Sequence, residues 1–251
     1  MHRLTVMTLN AWNTERLEVR RAPLEALLGR SPDVLGIQEL RPEVARLIER
    51  VLPHHRSVAD PLPGWTSEGN LWWDGRILEE RSHGAADYGA PELDRRLFWV
   101  RLYHLGSGHE LVAASAHLTW PGGGDESLQG RNPRLAQMQA IVDALDAIAD
   151  GLPTVLMGDM NDAVVPPRVA RAAGFTASWD ALGTVPPATY PAFPKGDESS
   201  RRPPFLPPAT FDWQFHRGPI RALMSEVIDQ PWRGVAPSDH RPVMTLYELD
   251  T

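Results

Sequence analysis

The apolar segments of this chain are short and regularly interrupted, which limits its fold more than any other feature. Residues 4–9 (LTVMTL) have strand length, and Val34–Gln38 (VLGIQ) reads as a short strand buried on both faces. Further strands are expected at 97–103, 111–116, 154–157, 211–216 and 243–247. No run approaches the ~18 apolar residues that a membrane span needs. The opening Met1-His2-Arg3-Leu4 leads into the first strand and does not have the pattern of a signal peptide.

Helix signals fall between the strands. One helix is expected to end near Gly29, with Pro23 best tolerated in its first turn. A second fits Pro42–Val51, where Val44, Leu47, Ile48 and Val51 share a face. A third has Asn132 as cap, Pro133 at the first helical position and Gly151 as stop. Its apolar stripe runs through Leu135, Met138, Ile141, Val142, Leu145 and Ile148. Gly106-Ser107-Gly108 joins 97–103 to 111–116 as an antiparallel hairpin, while helical crossovers elsewhere imply parallel pairs. Mixed sheets with helices outside follow, as one domain over residues 1–251. The Pro-rich stretch 186–208 cannot form a regular element and reads as a long surface loop.

Charge and composition exclude several classes. A net charge of −7 argues against a broad basic face for a nucleic-acid backbone, though not against a locally positive pocket. Zero cysteine excludes disulfides, thiolate nucleophiles and sulfur-built zinc sites, and suits a reducing cytoplasm, which is the expected location. Lys195 is the only lysine; the other basic side chains are arginines.

The polar residues that end the apolar runs are chemically selective. Asn10 closes the first strand, Glu39 follows the second, and His117 closes 111–116. Asp159 and Asn161 follow 154–157, Asp212 opens a late strand, and Asp239-His240 precedes the last. Each alone has an ordinary use as a turn former, cap or satisfied core histidine. Together they gather oxygen donors without sulfur, which suits a hard divalent cation, beside histidines able to stabilise an anion or donate a proton.

The ordered set TLNAWN, GIQEL, AHL, GDMND, FDWQF and SDHRPV resembles the endonuclease/exonuclease/phosphatase superfamily, over nearly the whole chain. The resemblance implies a four-layer α/β sandwich, DNase I-like, with two packed mixed β-sheets flanked by helices and a site in a cleft at one end. It also implies Mg²⁺- or Mn²⁺-dependent hydrolysis of a phosphoester by in-line attack of water. Glu39 is then the principal metal ligand, with Asn10 beside it and Asp239 close by. Asp159 activates or orients the water, with Asn161 as partner. His240, held by Asp212, binds the phosphate, and His117 is the second phosphate-stabilising histidine.

Some positions depart from the family pattern. Trp72 and Trp73 follow the Gly-Asn motif that makes Asn70 a candidate phosphate contact. Phe211 stands where many members carry a basic residue, and Trp12 where repair enzymes carry an acidic one. Arg95 and Arg96 are within reach of a substrate phosphate, with a solvated strand end as the plainer use. Trp12 and Trp120 are candidate cleft walls, for stacking a base or packing a lipid or aryl group, whereas Trp99, Trp179 and Trp232 read as packing residues.

The expected activity is a phosphodiesterase or nuclease. The alternatives are a phosphomonoesterase on a small phosphorylated metabolite and a non-catalytic binding protein on the same fold. The expected partner is a phosphoester, nucleic acid or small molecule, with no obligate protein partner. The Pro-rich loop, with Lys195, Arg201 and Arg202, is expected to overhang the site and select a small or single-stranded substrate.

Overall fold

Two six-stranded mixed sheets pack face to face with helices on both outer sides. The computed structural model describes residues 2–122, 126, 130–192 and 208–249. The first half of the chain runs β1 (His2–Asn10), α1 (Leu17–Leu28), β2 (Val34–Gln38), α2 (Pro42–Val51), β3 (His55–Ser57), β4 (Gly69–Asp74), β5 (Leu78–Ala86), β6 (Leu97–His104) and β7 (His109–His117). It continues through α3 (Arg134–Ala149), β8 (Thr154–Asp159), α4 (Val165–Ala172), β9 (Thr176–Ala177), α5 (Ser178–Ala181), β10 (Asp212–Arg217), β11 (Ile220–Val227) and β12 (Val243–Leu249).

One sheet has the order β11-β12-β1-β2-β4-β3 and the other β5-β6-β7-β8-β10-β9. The two parallel pairs, β1 with β2 and β7 with β8, are those bridged by the helices α1 and α3. The remaining pairs are antiparallel, including the expected β6–β7 hairpin.

Four layers need three apolar interfaces, and strand alternation supplies them. Leu4 and Val6 of β1 face the other sheet, among Val100, Leu111, Val155 and Met157. Met7 and Leu9 face outward, onto Leu24 of α1 and Val44 and Ile48 of α2. On the second sheet Val112 and Leu156 meet Met138, Ile141 and Leu145 of α3. The sheets approach closely at Gly36, where an added Cβ would lie 2.6 Å from Met157 Sδ. A buried polar bridge also crosses this interface: Gln38 Nε2 donates to Ser115 Oγ at 2.8 Å and to Thr8 Oγ1 at 3.1 Å.

Several sequence expectations are corrected. Pro23 lies inside α1 rather than in its first turn. Residue 23 lacks the N–H that would bond Val19, and Val19 is exposed, so its carbonyl can turn to water. Leu135 drops out of the α3 stripe at 56% exposure, and Trp232 is 48% exposed rather than packed. Pro133 rather than Asn132 stands at the N-cap of α3, one residue later than expected, although Asn132 Oδ1 still accepts from Arg134 N at 3.0 Å. β3, β4, β5, β9 and β11 were not anticipated. β5 and β11 are sheet edges whose half-exposed sequences carry no continuous apolar run. Of the Pro-rich loop, residues 193–207, with Lys195, Arg201 and Arg202, lie outside the described residues. Its described ends are tied together where Tyr190 pairs with Ala209.

Candidate active site

The alternation that builds the core also aims the polar strand ends. Inward positions of β7 run through Leu111, Ala113 and Ser115 to His117, and those of β8 through Val155 and Met157 to Asp159. In β10, Trp213 and Phe215 face the outer helices, so Asp212 faces inward. Register places His117 beside Asp159 and Asp159 beside Asp212, as a row across one sheet end. The opposite sheet contributes Asn10 at the end of β1, Glu39 after β2, and Asp239-His240 before β12. The turns need unusual backbone. Glu39 and Asn161 have φ of 51° and 50°, and at Gly158, φ 145°, a Cβ would meet Ala116 O at 1.9 Å.

At the centre of the cleft is Asp159. Its Oδ2 accepts from Asn10 Nδ2 at 3.0 Å, and Oδ1 from the Asn161 N–H at 2.9 Å. Two imidazoles flank it, His117 Nε2 and His240 Nε2, each 3.6 Å from Asp159 Oδ2. Each ring is held from behind by a carboxylate of the opposite sheet. His240 Nδ1 lies 2.9 Å from Asp212 Oδ2, and His117 Nδ1 lies 2.9 Å from Glu68 Oε1.

Electrostatics follow this geometry. Burial opposes ionisation of Asp159, but His240, His117, Asn10 and the Asn161 N–H together hold its carboxyl below the usual range. Burial would neutralise His240, yet Asp212 and Asp159 raise it well above an ordinary histidine. Glu68 is held at about 2, against burial, by His117 and Arg95. Asp239 is pushed up to about 7 by burial, and the Glu39 charge adds to that, partly offset by His240 and Arg20.

These groups line a cleft of 220 Å³, with Glu39, Arg95, His117, Asp159, Asn161 and His240 on its walls. The chain matches the Endonuclease/Exonuclease/phosphatase family over residues 7–240. It belongs to that family. No curated protein sequence matches it. Among solved structures, D. rerio TDP2 complexed with single strand DNA product is 17% identical, with a TM-score of 0.76 over 99% of this chain and 100% of that one. The mannosyl-6-phosphatase of Bacteroides thetaiotaomicron is 14% identical, with a TM-score of 0.78 over 98% and 100%. The human Nocturnin catalytic domain with bound sulfate is 18% identical, with a TM-score of 0.71 over 98% and 94%. At such identities the likeness establishes the sandwich fold.

The structure brings most of the candidate residues of this family member together, with some reassigned. Asn10 turns its Nδ2 to Glu39 Oε1, at 3.1 Å, and to Asp159, while its Oδ1 accepts the Trp12 N–H. So placed, it is a hydrogen-bond donor to both carboxylates. Asn161 spends its Nδ2 on Leu118 O. Asn70 is not among the lining residues: its amide is used on Val58 O, Trp65 O and the Leu71 N–H. Arg96 pairs with Asp87 away from the cleft, and Arg95 lines it instead. Trp120, 55% exposed, stands on the cleft wall as expected, whereas Trp12 lies beneath Arg20.

Sequence reasoning missed Glu68, although it is an acidic residue at a strand end like the others. It also missed Asn13, whose Nδ2 donates to Glu39 Oε2, and Thr189, whose Oγ1 accepts from the Asp212 N–H. Tyr190 was missed as well, its ring 4.8 Å from that of His240.

Two groups of donors suit a cation. Asp159, Asp212 and His240 place ligand atoms within 4.8 Å of one another, close enough to hold a metal ion. Glu39 and Asp239 form the second group. Both are carboxylates on the cleft wall, oxygen donors without sulfur, and suit an oxygen-seeking divalent cation. The residues present therefore fit a divalent metal.

Proposed function

We propose that this protein is a Mg²⁺-dependent phosphodiesterase that cleaves a P–O bond by in-line attack of water. One observation carries the reading: two imidazoles converge on Asp159 Oδ2 at 3.6 Å, each held by a carboxylate from the opposite sheet. Phosphoryl transfer asks a protein chiefly for positioning and for neutralising the equatorial oxygens. Asp159, ionised and fixed by Asn10 and Asn161, orients the water and takes its proton as the new P–O bond forms and the opposite one breaks. His240, kept cationic by Asp212, donates to a non-bridging oxygen, and His117 donates to another from the facing wall. Mg²⁺ or Mn²⁺, held by Glu39 and Asp239, would supply charge neutralisation at the phosphoryl group.

The balance of charge favours a diester. Besides the histidines, Arg95 is the only basic side chain that lines the cleft among the described residues, and it is already paired with Glu68 and Glu92, while Glu39, Asp159 and Asp239 are acidic. A monoanionic diester enters such a site with less repulsion than a dianionic monoester. The small cleft favours the second reading, a phosphomonoesterase on a small metabolite, since it holds little beyond the phosphoryl group itself.

A substrate panel with Mg²⁺, Mn²⁺ and EDTA arms separates these readings. It takes a diester dye, a monoester dye, single- and double-stranded DNA, RNA and a choline phospholipid. We expect diester hydrolysis with either metal and none in EDTA. Undiminished turnover of metal-free protein would overturn the metal requirement, and hydrolysis of the monoester alone would leave the second reading in its place.

A further inference from the structure

The loop between β1 and α1 carries more strain than any comparable stretch of the described chain, and one buried cation holds it. Trp12, Asn13 and Arg16 have φ of 55°, 48° and 51°. Such backbone persists only where its surroundings over-determine it. Here the surroundings are the guanidinium of Arg20, which is fully buried. Its Nε donates to Glu15 O at 2.7 Å and Nη1 to Ala11 O at 3.1 Å. Nη2 reaches Trp12 O at 3.3 Å and Asn13 O at 3.5 Å, and the group stacks 5.0 Å above the Trp12 ring.

One further donor leaves this loop. Arg20 Nη1 also donates to Pro237 O, next to the Ser238-Asp239-His240 turn. Ser238 Oγ adds a second tie, donating to Asn10 O at 2.6 Å. The guanidinium hydrogen-bonds to backbone carbonyls, and the carboxylates of Asp239, Glu15, Glu18 and Glu39 act on its charge from further off. A leucine or methionine would fill this space at less desolvation cost. What the arginine does in return is join two stretches of chain that meet at the cation site. On one side Asn13, held by its carbonyl, grips Glu39 through its Nδ2, while its Oδ1 has no partner among the described residues. On the other, Pro237 leads directly into Asp239.

We propose that Arg20 is the positioning residue that sets the spacing of Glu39 and Asp239 for a divalent cation, through Asn13 on one side and Pro237 on the other. The inference rests on the metal-dependent reading above. The clamp keeps two repelling carboxylates from drifting apart while the site is empty, so less reorganisation opposes metal binding. Partners behind a metal ligand typically govern affinity by about 10–100-fold.

Direct Mn²⁺ binding to the full chain, by electron paramagnetic resonance or calorimetry without substrate, tests this. Arg20→Lys keeps the charge but offers three donors in place of the five-donor fork. We expect its Mn²⁺ Kd to rise at least ~10-fold. Diester turnover should recover at saturating Mg²⁺ to within about threefold of wild type, because the clamp touches no reacting atom. A lowered melting temperature with an unchanged Mn²⁺ Kd would show a merely structural role and overturn the proposal. Should Arg20→Lys fail to fold, Asn13→Ala removes the grip on Glu39 and leaves the buried arginine intact. The same loss of affinity is expected there, and an unchanged Kd overturns the proposal equally. Wild-type protein that binds no Mn²⁺ overturns both this inference and the metal-dependent reading. Wild-type binding with unaltered variants overturns this inference alone.

Discussion

The two histidines that face Asp159 are mirror arrangements with different backing. His240 comes from one sheet and leans on Asp212 of the other; His117 comes from the second sheet and leans on Glu68 of the first. Asp212 is fully buried, and its Oδ1 has no hydrogen-bond partner among the described residues. Glu68 is less enclosed and divides its charge between His117 and Arg95, whose Nε lies 2.9 Å from the same oxygen that His117 uses. A carboxylate enclosed in a low-dielectric site acts strongly on the ring it faces; one shared with a guanidinium acts on its ring less. The comparison assigns His240 the more strongly held positive charge.

The largest expected effects lie at the shared centre and on the His240 side. Asp159→Asn and His240→Ala should each lower kcat by at least ~10², since one removes the proton acceptor and the other the fixed cation. Steady-state kinetics on a diester dye at saturating Mg²⁺ measures both. Equal, small losses would break the assignment.

The backing carboxylates sharpen the comparison. Asp212→Asn should lower kcat by ~10² and act only through His240, so its effect should be far from additive with His240→Ala. Glu68→Gln should lower kcat by roughly 10-fold, because Glu68 already shares its charge with Arg95 and His117 draws less from it. Matching losses at the two positions would show that the sharing with Arg95 has no functional consequence.

Glu68 has a separate signature in stability. Its pKa in the folded protein is about 2, against 4.5 for an ordinary glutamate. The ionised group therefore stabilises the fold fully above pH 4.5, and this is lost as pH falls towards 2. The shift corresponds to on the order of 3 kcal/mol as an upper figure. Urea unfolding of Glu68→Gln from pH 7 down to pH 3 should show lower stability at neutral pH and a flatter acid slope than wild type. Parallel curves would contradict the pairing with His117 and Arg95.

The smallest effect is expected from the Pro-rich loop. Thr189 and Tyr190, at its start, reach Asp212 and the His240 ring, so its base belongs to the cleft wall. Replacing residues 193–207 by a short Gly-Ser bridge should change the ratio of kcat/KM between single- and double-stranded DNA several-fold while leaving the melting temperature within a few degrees. An unchanged ratio across the panel would leave the loop without a part in selection.

The layers were legible in the sequence because apolar runs of strand length alternate with capped helices. The inward aim of His117 and Asp159 follows from the same alternation. The edges β5 and β11 were not legible: with one face in water, they need no apolar run. Glu68 escaped because it precedes its strand in a turn rich in polar residues, where one carboxylate resembles any other. Arg20 escaped for a different reason. On a helix an arginine reads as solvent-facing, and only the folded path of the loop at 11–15, with the distant Pro237, supplies the carbonyls that turn it inward. Asn70 misled in the opposite direction, since a polar residue entering a strand can serve backbone carbonyls instead of ligand.

Hydrolysis of a diester in ¹⁸O-labelled water, with and without Mg²⁺, tests the central claim most directly. Attack of water on phosphorus beside Asp159 predicts one ¹⁸O atom in the phosphomonoester product, none in the released alcohol, and no product at all after removal of metal. Label in the alcohol, or labelled product from metal-free protein, would contradict it.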